Sequence, residues 1–128
     1  SYRKRYEIDD VFNRLGKDVL ILDHADPRGR RARIDGDGFR VRRMSLRYMT
    51  FYQKGTKCVC CGKEGTHFNL RGERGTNVRH FDLFADDGTL ITKDHIIPRS
   101  KRGEDNVKNL QPMCARCNSA KGNKMGVV

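Results

Sequence analysis

The chain has 128 residues, 36% of them hydrophobic, with 27 Lys and Arg against 16 Asp and Glu and a formal net charge of +11. That length supports one domain with a thin core, which a bound metal would help to staple. The charge points to an anionic partner, with nucleic acid the default, and the lack of a long apolar run sets a membrane partner aside.

Residues 1–16 space Tyr6, Val11, Phe12 and Leu15 as on a short amphipathic helix that ends at Gly16. Val19–Leu22 is a compact apolar run and reads as a buried strand. Asp26-Pro27-Arg28-Gly29 signals a turn. Arg31–Ile34 and Phe39–Arg43 flank Asp35-Gly-Asp-Gly38 and read as a β-hairpin. Ser45–Lys54 reads as a helix with Ser45 as N-cap, an inward stripe of Leu46, Met49, Phe51 and Tyr52, and Gly55 as its end. Lys63–Asn77 is polar and Gly-rich and suggests no core element. Val78–Phe84 and Thr89–Ile97 form a second hairpin around Ala85-Asp-Asp-Gly88. Pro98–Lys108 is a basic loop, Leu110–Met113 a returning strand, and Ala115–Lys124 a closing helix.

Five cysteines are present, four of them in Cys58-x-x-Cys61 and Cys114-x-x-Cys117. An odd count in this arrangement argues for metal in a reducing compartment, not disulfides. Zn²⁺ takes four tetrahedral ligands, so the two pairs together make one closed structural site, with Cys60 a spare thiol. Four thiolates leave no open position, so this ion would have no catalytic role.

The stretch Asp94–Lys121 gathers further chemistry. His95 can serve as a general base, because histidine titrates near working pH. Asp94 and Asn118 can offer oxygens to a hard cation such as Mg²⁺ or Mn²⁺. Asn109 can pin a loop by bonding its backbone. Lys121, three residues beyond Asn118, shares its helix face and can reach a phosphate. Asp94 and His95 are adjacent, so on a regular strand they would point to opposite faces.

These residues carry a resemblance. Asp94-His95-Ile96-Ile97-Pro98, Asn109-Leu110, Cys114-x-x-Cys117 and Asn118-x-x-Lys121, with Cys58-x-x-Cys61-Gly62 upstream, resemble the HNH (ββα-metal) nucleases. The resemblance covers residues 58–124; residues 1–44 match nothing recognisable. It implies an α+β fold, with a small zinc-stabilised ββα-metal core over residues 57–128 and a basic strand-and-helix extension over residues 1–56 of the same domain. It also implies a strand that bends at its end, bringing Asp94 and His95 to the closing helix. In that reading Asn109 holds the 98–108 loop and fixes the pose of His95. Family members with His at the final position use it as a metal ligand; this chain has Asn118 there. The implied activity is metal-dependent DNA hydrolysis leaving 5′-phosphate and 3′-hydroxyl ends, with no small-molecule substrate. The stand-alone size suggests a phage or mobile-element type acting in the cytoplasm of a bacterial host.

Residues 97–124 hold seven Lys and Arg against two Asp and Glu. This favours phosphate contacts from Arg99, Lys101, Arg102, Lys121 and Lys124 over a merely solvated face. The Arg-rich hairpin, Arg28–Arg43, is equally well read either way. Asp23-His24 lacks any following Asn or Cys pair and reads as structural or DNA-proximal. Asp86-Asp87 reads as turn chemistry. One site per chain nicks one strand unless two chains or two events combine, so monomer and dimer both fit. The alternative to an enzyme is a non-catalytic zinc-stabilised nucleic-acid-binding module, which would have no need of His95.

Overall fold

The computed structural model describes residues 4–26, 31–33 (backbone only), 39–72, 75 and 78–125. The fold is α+β. Its elements are β1 (Arg5–Glu7), α1 (Ile8–Leu15), α2 (Lys17–Leu20), β2 (Arg31–Arg33), β3 (Arg40–Arg42), α3 (Leu46–Lys54), β4 (His67–Gly72), β5 (Val78–Phe84), β6 (Leu90–His95), β7 (Leu110–Cys114) and α4 (Ala115–Lys121). Two short 3₁₀ turns, Arg99–Lys101 and Val107–Asn109, shape the loop between β6 and β7.

The sheet forks at β5. One side of β5 pairs with β4 over six residue pairs, and β1 lies beyond β4. The other side is divided. Its first residues run parallel to β3 (Arg40↔Val78, Val41↔Arg79), which pairs with β2. Its last residues run antiparallel to β6 (Leu83↔Ile91, Phe84↔Leu90), which continues into β7. Between these two contacts the ladder is interrupted. There the Phe81 N–H donates to the Tyr48 hydroxyl of α3 at 2.8 Å, which satisfies a buried backbone group that no strand reaches. Burial pushes the Tyr48 phenol up to about 12.

Phe68 of β4 and Phe81 of β5 centre the core, with ring centroids 5.9 Å apart and edge-on. Phe12 of α1 and Tyr48 of α3 meet Phe68 edge-on at 6.0 and 6.5 Å. Val11, Leu15, Leu20 and Val41 close the cluster from the N-terminal side, and Ile91 and Met113 from the C-terminal side. Burying each such side chain stabilises the fold by about 1.5–3 kcal/mol.

Several sequence expectations are corrected. Tyr6 lies on β1, not on the first helix, which starts at Ile8. The expected strand over Val19–Leu22 is instead helix α2, with Val19 and Leu20 buried but Ile21 and Leu22 exposed. Gly16, at φ +100°, ends one helix and starts the next, and a four-residue apolar run does not separate the two periods. The Lys63–Asn77 stretch contains β4, whose Phe68 is fully buried. Only Phe68 and Leu70 alternate there with polar residues, and strands on both sides, not local pattern, fix it as a strand. On α3 the buried residues are Tyr48, Met49, Thr50 and Phe51, while Leu46 and Tyr52 are half-buried. β2 and β3 pair as a hairpin, and its connecting residues 34–38 lie outside the described residues, as does the turn from Pro27 to Arg30.

Candidate active site and metal centre

The first Cys-x-x-Cys turn follows α3 directly. Gly62, at φ +82°, lets its N–H reach back to the Cys58 carbonyl at 3.0 Å, the tight turn that side chains with a Cβ resist. The second pair spans the junction of β7 and α4, where Cys114 caps the helix and its sulfur accepts from the Cys117 N–H. The Val59 N–H donates to the Pro112 carbonyl at 3.0 Å and holds the two turns together. The sulfurs of Cys58, Cys61, Cys114 and Cys117 all lie within 4.8 Å of one another.

Cys61 and Cys114 Sγ are 3.8 Å apart. Thiolates about 2.3 Å from a tetrahedral zinc ion would be about 3.8 Å apart, so the spacing fits such an ion. Cys60 is half-buried and is not one of the four. Burial works against ionising Cys58. Backbone N–H groups of Cys114, Cys61 and Cys60 outweigh it and bring that thiol down to about 6. Cys117 is held above the usual thiol range by its sulfur neighbours, Cys114 first, and by burial. The four cysteines are thus positioned to bind one metal ion, and one of them is readily ionised.

About a strand's length away, a cleft of about 220 Å³ opens between the end of β6 and α4. Its walls include Lys93, Asp94, His95, Arg99, Asn118 and Lys121. β6 reaches His95 without breaking its pairing with β7 (Asp94↔Gln111, His95↔Leu110). The alternation of a strand therefore holds, and the two neighbours take different partners.

Asp94 is buried. Its Oδ2 accepts from Gln111 Nε2 at 2.9 Å and lies 3.0 Å from Lys121 Nζ, which is 3.4 Å from Oδ1. Lys121, also buried, donates further to the His95 carbonyl at 2.7 Å. Asn118 donates from Nδ2 to Thr92 Oγ1 at 2.9 Å, and so its Oδ1 is the atom left to act as a ligand.

His95 turns toward the loop. Its Nε2 is 2.7 Å from Asp105 Oδ1, and Arg99 Nε donates to the same oxygen at 3.1 Å. Arg99 first, and then His95, hold the Asp105 carboxyl well below the usual range. An ionised carboxylate only accepts, so in this contact Nε2 is the donor.

Asn109 does not line the cleft. It spans the loop, accepting from the Ile97 N–H at 2.9 Å and donating from Nδ2 to the carbonyls of Ile97 and Glu104, each at 3.0 Å. Gly103 fits beneath it, because a Cβ there would come within 1.7 Å of the Ile97 carbonyl oxygen. Lys101, Arg102 and Lys124 are exposed near the cleft but are not among its lining residues. Asp105, Gln111 and Thr92 were not singled out from sequence. Asp105 sits in an acidic pair within a loop, ten residues from its histidine, and no spacing rule links the two.

The other Asp-His pair, Asp23 and His24, is exposed and makes its own 2.6 Å contact. The Asp23 carbonyl accepts from the Val107 N–H at 2.7 Å and supports the same loop from outside. Among the described residues no helix is long and apolar enough to cross a membrane.

The geometry and the family comparison coincide in place. A family model for the HNH endonuclease matches residues 77–124, a stretch that contains β5, β6, β7 and α4. The match spans 48 of the 128 residues and marks this segment as similar to HNH endonucleases. No curated protein and no solved structure matches the chain significantly.

Proposed function

We propose that the protein is a metal-dependent DNA endonuclease that hydrolyses phosphodiester bonds. The observation that carries the reading is the clustering of a carboxylate-oriented histidine, a carboxylate, an amide and a lysine around one open cleft inside the HNH-matched segment. His95 removes a proton from the attacking water through Nδ1, while Asp105 holds the ring by Nε2. Asn109 keeps the loop, and with it the pose of His95. Asp94 and Asn118 would hold a Mg²⁺ or Mn²⁺ ion, oxygen donors of the kind such hard cations prefer. When bound, that ion supplies positive charge to the scissile phosphate and the departing oxygen. Lys121 balances Asp94 and stands beside the leaving group. Cys58, Cys61, Cys114 and Cys117 hold a structural zinc ion. Arg99 at the cleft wall, and Lys101, Arg102 and Lys124 outside it, contact phosphates.

One observation favours a second reading. Asp94 is already buried and paired with Lys121, as in a structural ion pair of a non-catalytic nucleic-acid-binding module. Plasmid nicking in Mg²⁺ or Mn²⁺ separates the two. The nuclease reading expects nicking by the native chain and its loss in His95→Ala. Cleavage that survives the substitution rules out the base assignment, and no cleavage by the native chain leaves the binding module.

A further inference from the structure

The candidate cleft is one end of a longer feature. Two more clefts connect to it in series through shared lining residues. One, of about 170 Å³, lies where β5 and β6 part and is lined by Arg47, Asp82, Thr92 and Lys93 among others. The next, of about 360 Å³, lies where β3 joins β5 and includes Arg42, Arg47, Arg79 and His80. Lys93 is common to the first two, and Arg47 to the last two. The fork in the sheet makes this possible: β6 leaves β5 after Leu83, and the start of α3 lies in the gap.

The charge along this line is one-sided. Beyond the Asp94–Lys121 pair, the walls carry Arg42, Arg47, Arg79, Lys93 and Arg99 against Asp82 alone. Asp82 is itself over-matched, with Arg47 at 3.3 Å and both Arg71 and His80 at 3.4 Å. Arg79 is held in place over the Phe39 ring, 4.3 Å from its centroid. Lys93 is half-buried and lines both of the first two clefts. Cations repeated along connected clefts suit the regularly spaced charges of a polynucleotide better than any single small anion.

We infer that this groove is a track for the sugar-phosphate backbone of duplex DNA, leading from the candidate cleft across Lys93 and Arg47 to Arg42 of β3 and Arg79 of β5. The inference rests on the nuclease reading for its partner, but not on catalysis. The test is duplex binding with no Mg²⁺ or Mn²⁺ added and no chelator present, over a range of salt concentrations, comparing the native chain with the double variant Arg42→Gln/Arg79→Gln. Loss of two phosphate contacts makes the log–log salt slope shallower by about two and weakens binding at every DNA sequence alike. Arg42→Lys/Arg79→Lys restores most of the slope, which separates charge from folding. An unchanged slope in the Gln variant overturns the track, as does a native chain that does not bind duplex. If the slope changes as expected while no divalent ion supports plasmid nicking, the track stands and the nuclease reading falls.

Discussion

His95 Nε2 lies 2.7 Å from Asp105 Oδ1, while its neighbour Asp94 lies 3.0 Å from the buried Lys121 Nζ. One strand end thus gives two adjacent residues to two different networks. One network orients an imidazole at the surface, and the other neutralises a carboxylate inside.

The first prediction concerns that orientation. His95→Ala lowers the rate of DNA cleavage by about 10²–10⁴-fold, the usual loss for a positioned general base. Asp105→Asn costs less, about 10–100-fold, by analogy with the carboxylates that orient metal-binding histidines. Asp105 is held well below the usual carboxyl range by Arg99 and His95, so it stays ionised across working pH. A limb of the pH–rate profile that moves in Asp105→Asn therefore reports the imidazole. Identical profiles with and without Asp105 would remove it from the mechanism. The same shift has a stability side. The folded value lies below the unfolded one, so this support for the loop is complete above about pH 4 and fades as acid protonates the carboxyl.

Lys121 and Asp94 form the second test. Both are buried, and breaking such a pair from one side leaves an uncompensated charge at a cost of about 3–5 kcal/mol. Lys121→Met is expected to lower stability by that order in chemical denaturation. Millimolar Mg²⁺ or Mn²⁺ should return part of the loss, because the freed Asp94 oxygens can then take the ion. A variant as stable as the native chain, or one indifferent to the ion, would count against Asp94 as a ligand.

Gly103 gives the third. A methyl group at this position would meet the Ile97 carbonyl and crowd the Asn109 amide, both parts of the loop that carries Asp105. Gly103→Ala should reduce cleavage and raise hydrogen exchange across residues 97–109 while leaving the melting of the remainder nearly unchanged. Loss of activity with undisturbed exchange in that loop would point elsewhere.

The cysteines supply the fourth. Removing the metal with a strong chelator should abolish cooperative unfolding, since structural zinc contributes about 10–16 kcal/mol in small metal-folded peptides. Cys114→Ser is expected to reproduce the effect, and Cys60→Ser to leave the metal content at one ion per chain. Metal analysis and thermal melting read both outcomes.

The cysteine cluster was legible in advance because Cys-x-x-Cys is a local turn, and two such turns account for a tetrahedral ligand set. The hairpin of β5 and β6 was legible from Asp87-Gly88 between alternating strands. β4 was not, since its strand character comes from neighbours distant in sequence and its own apolar content is two residues. α2 was missed because a run of four apolar residues carries no period. Asp105 was invisible for a related reason: a loop carboxylate acquires its partner only when the chain closes through Asn109 and Gly103.

The aromatic cluster around Phe68 and Phe81 has a consequence for any shortened version of this chain. The family-matched stretch supplies Phe81, but Val11, Phe12, Leu15, Leu20 and Val41 form the opposite wall. Expressed from the first cysteine pair onward, the polypeptide would present two large rings to water along an open strand edge, and it would be expected to aggregate before it could engage any substrate.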